Sequence, residues 1–156
     1  MNSILKQSVS VLSLILLFVS QLFAQNTLTQ LKCEYLITPI GIDAVSPRFT
    51  WQLSDNNAGA EQNAYSIIVG TDSLDVLIGK GNCWNSGKIE KKQSLGIYGG
   101  KALLPFTRYF WNVQVWNENG ALAKPTQIAT FETGMMKIKN WQGHWISDTR
   151  DVNVKP

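Results

Sequence analysis

The stretch LPFTRYFWNVQVWNENG, residues 104–120, decides the fold class. Apolar side chains occupy every second position from Tyr109 to Val115, and the polar Asn112 and Gln114 fall between them. This period of two predicts a strand with one buried face and one mostly solvated face. The Asn-Glu-Asn-Gly that follows predicts a turn. A tyrosine that opens such a strand just after a Leu-Pro break is typical of the tyrosine corner of an immunoglobulin-like sandwich.

Shorter segments on both sides repeat the strand pattern. The buried faces are predicted to carry Phe49, Trp51 and Leu53 in one strand and Tyr65, Ile67 and Val69 in another, with Ser66 opposite. Further strands are expected at residues 31–36, near residues 84 and 97, and at residues 128–131. The only helix signal is about one turn after Asp72. About seven short strands predict an all-β antiparallel sandwich of the immunoglobulin or fibronectin type III kind over residues 27–134.

The two ends of the chain differ from this domain. Residues 1–24 have the outline of a secretory signal peptide, with Lys6 before an apolar core at Leu14–Val19 and Ala24 as a small residue for cleavage. The alternative is a membrane anchor, which needs about 20 apolar residues and is disfavoured because this core is shorter. We expect an exported protein, periplasmic or extracellular, without a membrane span after cleavage. Residues 135–156 are expected to be a linker and the truncated start of a second β-domain.

Composition and charge narrow the range of partners. The net charge is +3, from 14 basic and 11 acidic residues. No run of Lys or Arg is interleaved with aromatic residues, so no nucleic-acid partner is expected. Cys33 and Cys83 could pair in an oxidising compartment, or Cys33 could be a small buried apolar residue of the first strand. Two cysteines and the single His144 do not make a zinc site, and no metal or cofactor is predicted.

Catalytic motifs are absent from the sequence. It has no phosphate-binding glycine loop leading into a helix and no Gly-x-Ser-x-Gly elbow. His144 lies in the tail, without an evident partner. The acidic residues fall at predicted strand ends, turns or solvated faces, where we expect solvated carboxylates. They are Asp43, Asp55, Glu61, Asp72, Asp75, Glu90, Glu118 and Glu132.

Trp116 is the side chain with the strongest binding signal. It breaks the inward alternation and is predicted to face outward, on the same side as Phe110. Exposed aromatic residues either dock against a neighbouring domain or stack on sugar rings. Docking is the favoured interpretation.

Seven motifs, in order, resemble the N-terminal entry of bacterial alpha-L-rhamnosidases. They are LKCEYLITPIGID at 31–43, SPRFTW at 46–51, QNAYSIIV at 62–69, WNSGK at 84–88, YFWxVxVW at 109–116, FETG at 131–134 and WxGxWI at 141–146. Their order and spacing match across residues 27 to about 147.

The resemblance implies a fibronectin type III-like sandwich that precedes a carbohydrate-binding-like β-domain and an (α/α)6 catalytic barrel. In that family the barrel carries the acidic residues that hydrolyse terminal alpha-L-rhamnose with inversion. None of those positions lies in this chain, so we predict a non-catalytic accessory module whose partners are the neighbouring domains of a longer glycosidase. The alternative is a free-standing module that binds rhamnose-containing glycans or another protein.

Overall fold

Eight strands in two facing layers form the body of the computed structural model, which describes residues 27–54, 61–125 and 128–144. The strands are β1 Thr27–Cys33, β2 Arg48–Ser54, β3 Gln62–Gly70, β4 Trp84–Asn85, β5 Leu95–Ile97, β6 Arg108–Asn117, β7 Leu122–Pro125 and β8 Ala129–Glu132. A short helix, α1, spans Ser73–Leu77, and a single 3-10 turn spans Ile138–Asn140. The predicted signal peptide, residues 1–24, lies outside the described residues.

Antiparallel pairing builds each layer. One layer has the order β1-β2-β5. The other has the order β4-β3-β6, with β7 and β8 following each other along the free edge of β6. β7 also pairs with β1 in parallel, and this short ladder joins the two layers. The prediction of an antiparallel β-sandwich is confirmed.

Aromatic rings fill the space between the layers. Phe49 of β2 lies 4.6 Å from Trp111 of β6 between ring centroids, and Trp51 meets Tyr65 edge to face at 5.0 Å. All the aromatic side chains predicted to point inward are buried, and Leu53 is half-buried. Each buried aromatic residue removes about 150–250 Å² from water, which makes this cluster the main favourable contribution to folding.

The tyrosine corner is present. The Leu104 N–H donates a hydrogen bond of 2.8 Å to the hydroxyl of Tyr109, the second residue of β6. The Tyr109 ring stacks on Phe131 of β8 at 5.2 Å. The hydroxyl therefore ties the loop before β6 to the core, as the sequence pattern indicated.

The first strand differs from the prediction at both ends, and one further strand was not predicted. The first strand begins at Thr27 and ends at Cys33, because Glu34 and Tyr35 adopt positive φ angles and reverse the chain. Arg48 binds the Glu34 carboxylate at 2.6 Å and lies over the Tyr35 ring, which holds this reversal. β7 was missed altogether, since its four residues show no alternation and end in a proline.

The prediction that the outer faces of β3 and β6 are solvated is wrong for the central residues of these strands. Ser66 and Asn112, expected to face water, are buried, and so is Ile68. The cause is α1, which packs on the outer side of β3 and β6 and buries Val76. The Asp72 carboxylate caps the helix by accepting the Asp75 N–H at 2.9 Å.

Candidate docking surface

The chain leaves the sandwich where three backbone segments meet. On one side of the chain that follows β8, the Phe106 N–H donates a hydrogen bond of 2.9 Å to the Gly134 carbonyl. On the other side, Ile42 of the β1–β2 connection donates to the Glu132 carbonyl and accepts from the Gly134 N–H. Residues 39–42, 132–134 and 106–107 thus lie side by side at the exit of the domain. This arrangement extends the β6–β8 ladder by one more segment.

Exposed apolar side chains lie on or next to two of these segments and on the chain that follows β8. Among the described large hydrophobic residues, the three most exposed are Ile138 at 87%, Ile40 at 78% and Phe106 at 72%. Leu104 and Trp141 in the same region are also exposed. We take exposed apolar side chains on neighbouring segments as a candidate interaction surface. We call this group of five residues the exit surface.

A second apolar group lies on α1. Leu74, Leu77 and Ile78 are exposed at helical spacing, while Val76 points into the protein. This group is on the outer side of β3 and β6 and belongs to a different element from every segment of the exit surface.

The structure does not bring Trp116 and Phe110 together. Both are half-buried and lie on the same face of β6, but they are six positions apart along the strand, a distance of about 20 Å. Trp116 lies between Ala64 of β3 and Leu122 of β7. The Lys88 ammonium lies over its ring, 5.3 Å from the centroid. Stacking of a sugar on that face would require Lys88 to move.

Five of the eight acidic residues considered above bond to other groups of the domain. Glu61 pairs with Lys92 at 2.5 Å, and Glu132 pairs with Arg108 at 2.6 Å. Glu118 accepts the Glu61 N–H. Asp72 caps α1, and Asp43 accepts the Met136 N–H at the exit. Asp55 lies outside the described residues.

Burial governs the chemistry of the thiols. The structure has Cys33 and Cys83 unbonded, which favours the interpretation of Cys33 as a buried apolar residue. Burial, with a smaller effect of the Glu34 charge, raises the pKa of Cys33 to about 12. Burial also raises the pKa of Cys83, against a smaller opposing effect of Lys101. The described residues contain no group of three or more side chains suited to a metal ion.

A comparison with protein families shows which family the chain belongs to. The sequence model described as "Rha78A-like, N-terminal immunoglobulin domain" matches residues 28–137. The chain belongs to this family. The resemblance that the seven motifs predicted is therefore confirmed.

Curated relatives and solved structures agree with this assignment. The alpha-L-rhamnosidase of Streptomyces avermitilis is 34% identical over 129 residues, which are 82% of this chain and 12% of the enzyme. One from Formosa agariphila is 36% identical over 120 residues, 74% of this chain and 12% of the enzyme. The structure of the alpha-L-rhamnosidase from Dictyoglumus thermophilum superposes with a TM-score of 0.74 at 33% identity, over 78% of this chain and 14% of that chain.

These relatives are much longer than the matched region. The chain spans 12% to 16% of the length of the curated relatives it matches. Among the described residues, no helix combines the length and the apolar character that a membrane span requires.

Proposed function

We propose that this chain is the non-catalytic N-terminal accessory module of an exported alpha-L-rhamnosidase, an enzyme that removes terminal alpha-L-rhamnose from glycans or glycosides. The observation that carries the proposal is the family match, which covers an N-terminal immunoglobulin domain and not the enzyme that follows it. Relatives named alpha-L-rhamnosidase align with the chain over about one-eighth of their length. The activity of the longer enzyme therefore belongs to other parts of the polypeptide.

The packing of the described residues supports a role without catalysis. Inverting glycoside hydrolysis needs two carboxylates about 6.5–9.5 Å apart on opposite sides of a sugar. Here Asp72 caps a helix, Glu61 and Glu132 are in ion pairs, and the space between the layers is filled by aromatic rings.

The proposed partner is the neighbouring domain of the same enzyme, bound at the exit surface. This surface surrounds the point where the chain leaves the sandwich, so a following domain would begin next to it. The sequence pattern favours docking at Trp116, but the Lys88 ammonium lies over that ring. Of the large apolar side chains that the structure describes, the three most exposed lie at the exit instead.

An assay of the purified chain on an aryl alpha-L-rhamnoside tests the proposed function. We expect no hydrolysis, with the Streptomyces avermitilis enzyme as positive control and a Trp111→Ala preparation of this chain as control for contaminating activity. DNA sequence beyond the codon for Pro156 is expected to continue in frame into the remainder of a rhamnosidase. Turnover by the folded chain but not by the Trp111→Ala preparation would overturn the proposal.

Export is the second part of the proposal and rests on the signal-like sequence of residues 1–24. When the chain is expressed with its native N-terminus in a bacterial host, we expect a periplasmic or secreted product that begins at about Gln25. Mass spectrometry of the intact product measures the cleavage. A product that stays in the cytoplasm at full length would contradict export.

Glycan binding at Trp116 is a second candidate function. It is supported by the half-buried aromatic ring on the outer face of β6, and it requires Lys88 to move off that ring. Calorimetric titration with rhamnose-containing oligosaccharides, with Trp116→Ala as control, tests it. Heat that disappears in this variant would establish the site, and absence of heat in the native chain would reject it.

A further inference from the structure

One carboxylate lies at the centre of the exit. Asp43 Oδ1 accepts the backbone N–H of Met136 at 2.7 Å, across 93 residues of sequence. Asn140 Nδ2 donates at 2.7 Å to the carbonyl of Met135, the residue before Met136. This hydrogen bond folds the following turn back onto the chain. The first residues beyond β8 are therefore held by two side chains.

The backbone at the exit is shaped around this carboxylate. A Cβ added to Gly134 would lie 2.6 Å from Asp43 Oδ1 and 3.1 Å from the Gly41 carbonyl oxygen, so only glycine allows so close an approach. Met136 has a φ of 63°, a left-handed conformation that is unfavourable for a residue with a Cβ and persists when surrounding contacts impose it. The Asp43 bond to Met136 N–H is such a contact.

The β1–β2 connection presents Asp43 at this place. Ile42 is bonded through both of its backbone groups to the chain that ends β8, with its N–H on the Glu132 carbonyl and its carbonyl on the Gly134 N–H. The next residue, Asp43, is thereby fixed level with the departing strand. The sequence Gly-Ile-Asp at 41–43 thus acts on a segment far away in the chain.

We propose that Asp43 is a positioning residue whose carboxylate fixes the direction in which the chain leaves the sandwich, so that the exit is a rigid elbow and not a flexible tether. The elbow is a property of this chain alone. Its use, to hold a following domain against the exit surface, rests on the proposed function.

Hydrogen exchange of the Met136 amide in the 156-residue chain, measured by NMR, tests the elbow. Because a hydrogen bond to a carboxylate is stronger than one to a neutral acceptor, we expect Asp43→Ala to accelerate this exchange roughly ten- to hundredfold. ¹⁵N relaxation is expected to show faster motion for residues 137–144. The core amide of Val113 serves as the internal reference and is expected to keep its native rate.

Two further variants sharpen the test. Asp72→Ala is the matched control, because Asp72 also accepts a backbone N–H but at α1, and it is expected to leave Met136 unchanged. Asp43→Asn keeps the Oδ1 acceptor without the charge and is expected to restore most of the protection. If Asp43→Ala destabilises the whole domain, the Met136 rate in Asp43→Asn is still expected to rise several-fold more than the Val113 rate.

Native exchange at Met136 and native relaxation at residues 137–144 in both Asp43 variants would overturn the elbow and leave the proposed function intact. Hydrolysis of a rhamnoside by the folded chain would overturn the proposed function and leave the elbow intact.

Discussion

Trp51 and Trp111 are both buried, and we predict that they respond differently to the same substitution. Trp51 Nε1 donates a hydrogen bond of 2.8 Å to Gln62 Oε1. Gln62 in turn donates to the carbonyls of Lys91 and Gln93. Trp111 Nε1 is buried without an acceptor among the described residues. A change to phenylalanine removes the same atoms at both positions, so the loss of packing largely cancels in the comparison.

The remaining difference comes from the hydrogen bonds. Trp51→Phe leaves Gln62 Oε1 with only the Ser94 hydroxyl at 3.4 Å, and an acceptor deprived of its partner costs about 1–3 kcal/mol. Trp111→Phe instead removes an unsatisfied buried donor, whose burial costs about 1–3 kcal/mol in proteins. The two effects add, so even at their lower limits we expect Trp51→Phe to lower the free energy of unfolding by at least about 2 kcal/mol more than Trp111→Phe.

Urea unfolding followed by far-UV circular dichroism measures this difference without depending on the altered fluorophores. With a slope of about 1–3 kcal/mol per M, the two midpoints should differ by roughly 1 M. Equal midpoints, or a lower midpoint for Trp111→Phe, would refute the hydrogen-bond argument.

Three further predictions concern the corner, an ion pair and the thiols. Tyr109→Phe keeps the ring against Phe131 but frees the Leu104 N–H, and should cost about 0.5–1.5 kcal/mol in the same urea experiment; no loss would contradict a functioning corner. Hydrogen bonding to Arg48 lowers the pKa of Glu34, so the pair adds stability above the ordinary carboxyl pKa and loses it as the pH falls through the lowered value. Below about pH 4.5 the melting temperature of the native chain should therefore fall more steeply than that of Glu34→Gln, and parallel curves would argue against the pair. A thiol reagent at pH 8 should leave Cys33 unmodified in the folded chain and find two free thiols after denaturation without reductant; finding none would show a disulfide.

The core could be predicted from the sequence because its signal is local. Alternation at Phe49 and Trp51, and again from Tyr109 to Val115, states which side chains share a face, and a slip of one residue would expose them all. The tyrosine corner has a similar local signature, a tyrosine just after a Leu-Pro break. These features followed from residues within one or two strands.

The rest depends on contacts between distant residues. Burial of Asn112 follows from where α1 packs, and a five-residue helix says little about the surface it will cover. The end of β1 depends on Arg48, which binds Glu34 fourteen residues earlier. The exit surface was missed because its parts come from three separate segments, and because the bond between Asp43 and Met136 has no pattern in the sequence. Trp116 drew attention as an outward aromatic residue, while Lys88, which covers it, comes from another segment.

Hydroxyl-radical footprinting of this chain, alone and as part of the longer rhamnosidase polypeptide, tests most directly whether the module works through its exit. We expect Ile40, Phe106 and Ile138 to be modified in the isolated chain and protected in the longer one, while Leu74 and Leu77 on α1 react equally in both. Protection centred on Trp116 or on α1, or equal reactivity at all five apolar positions, would contradict it.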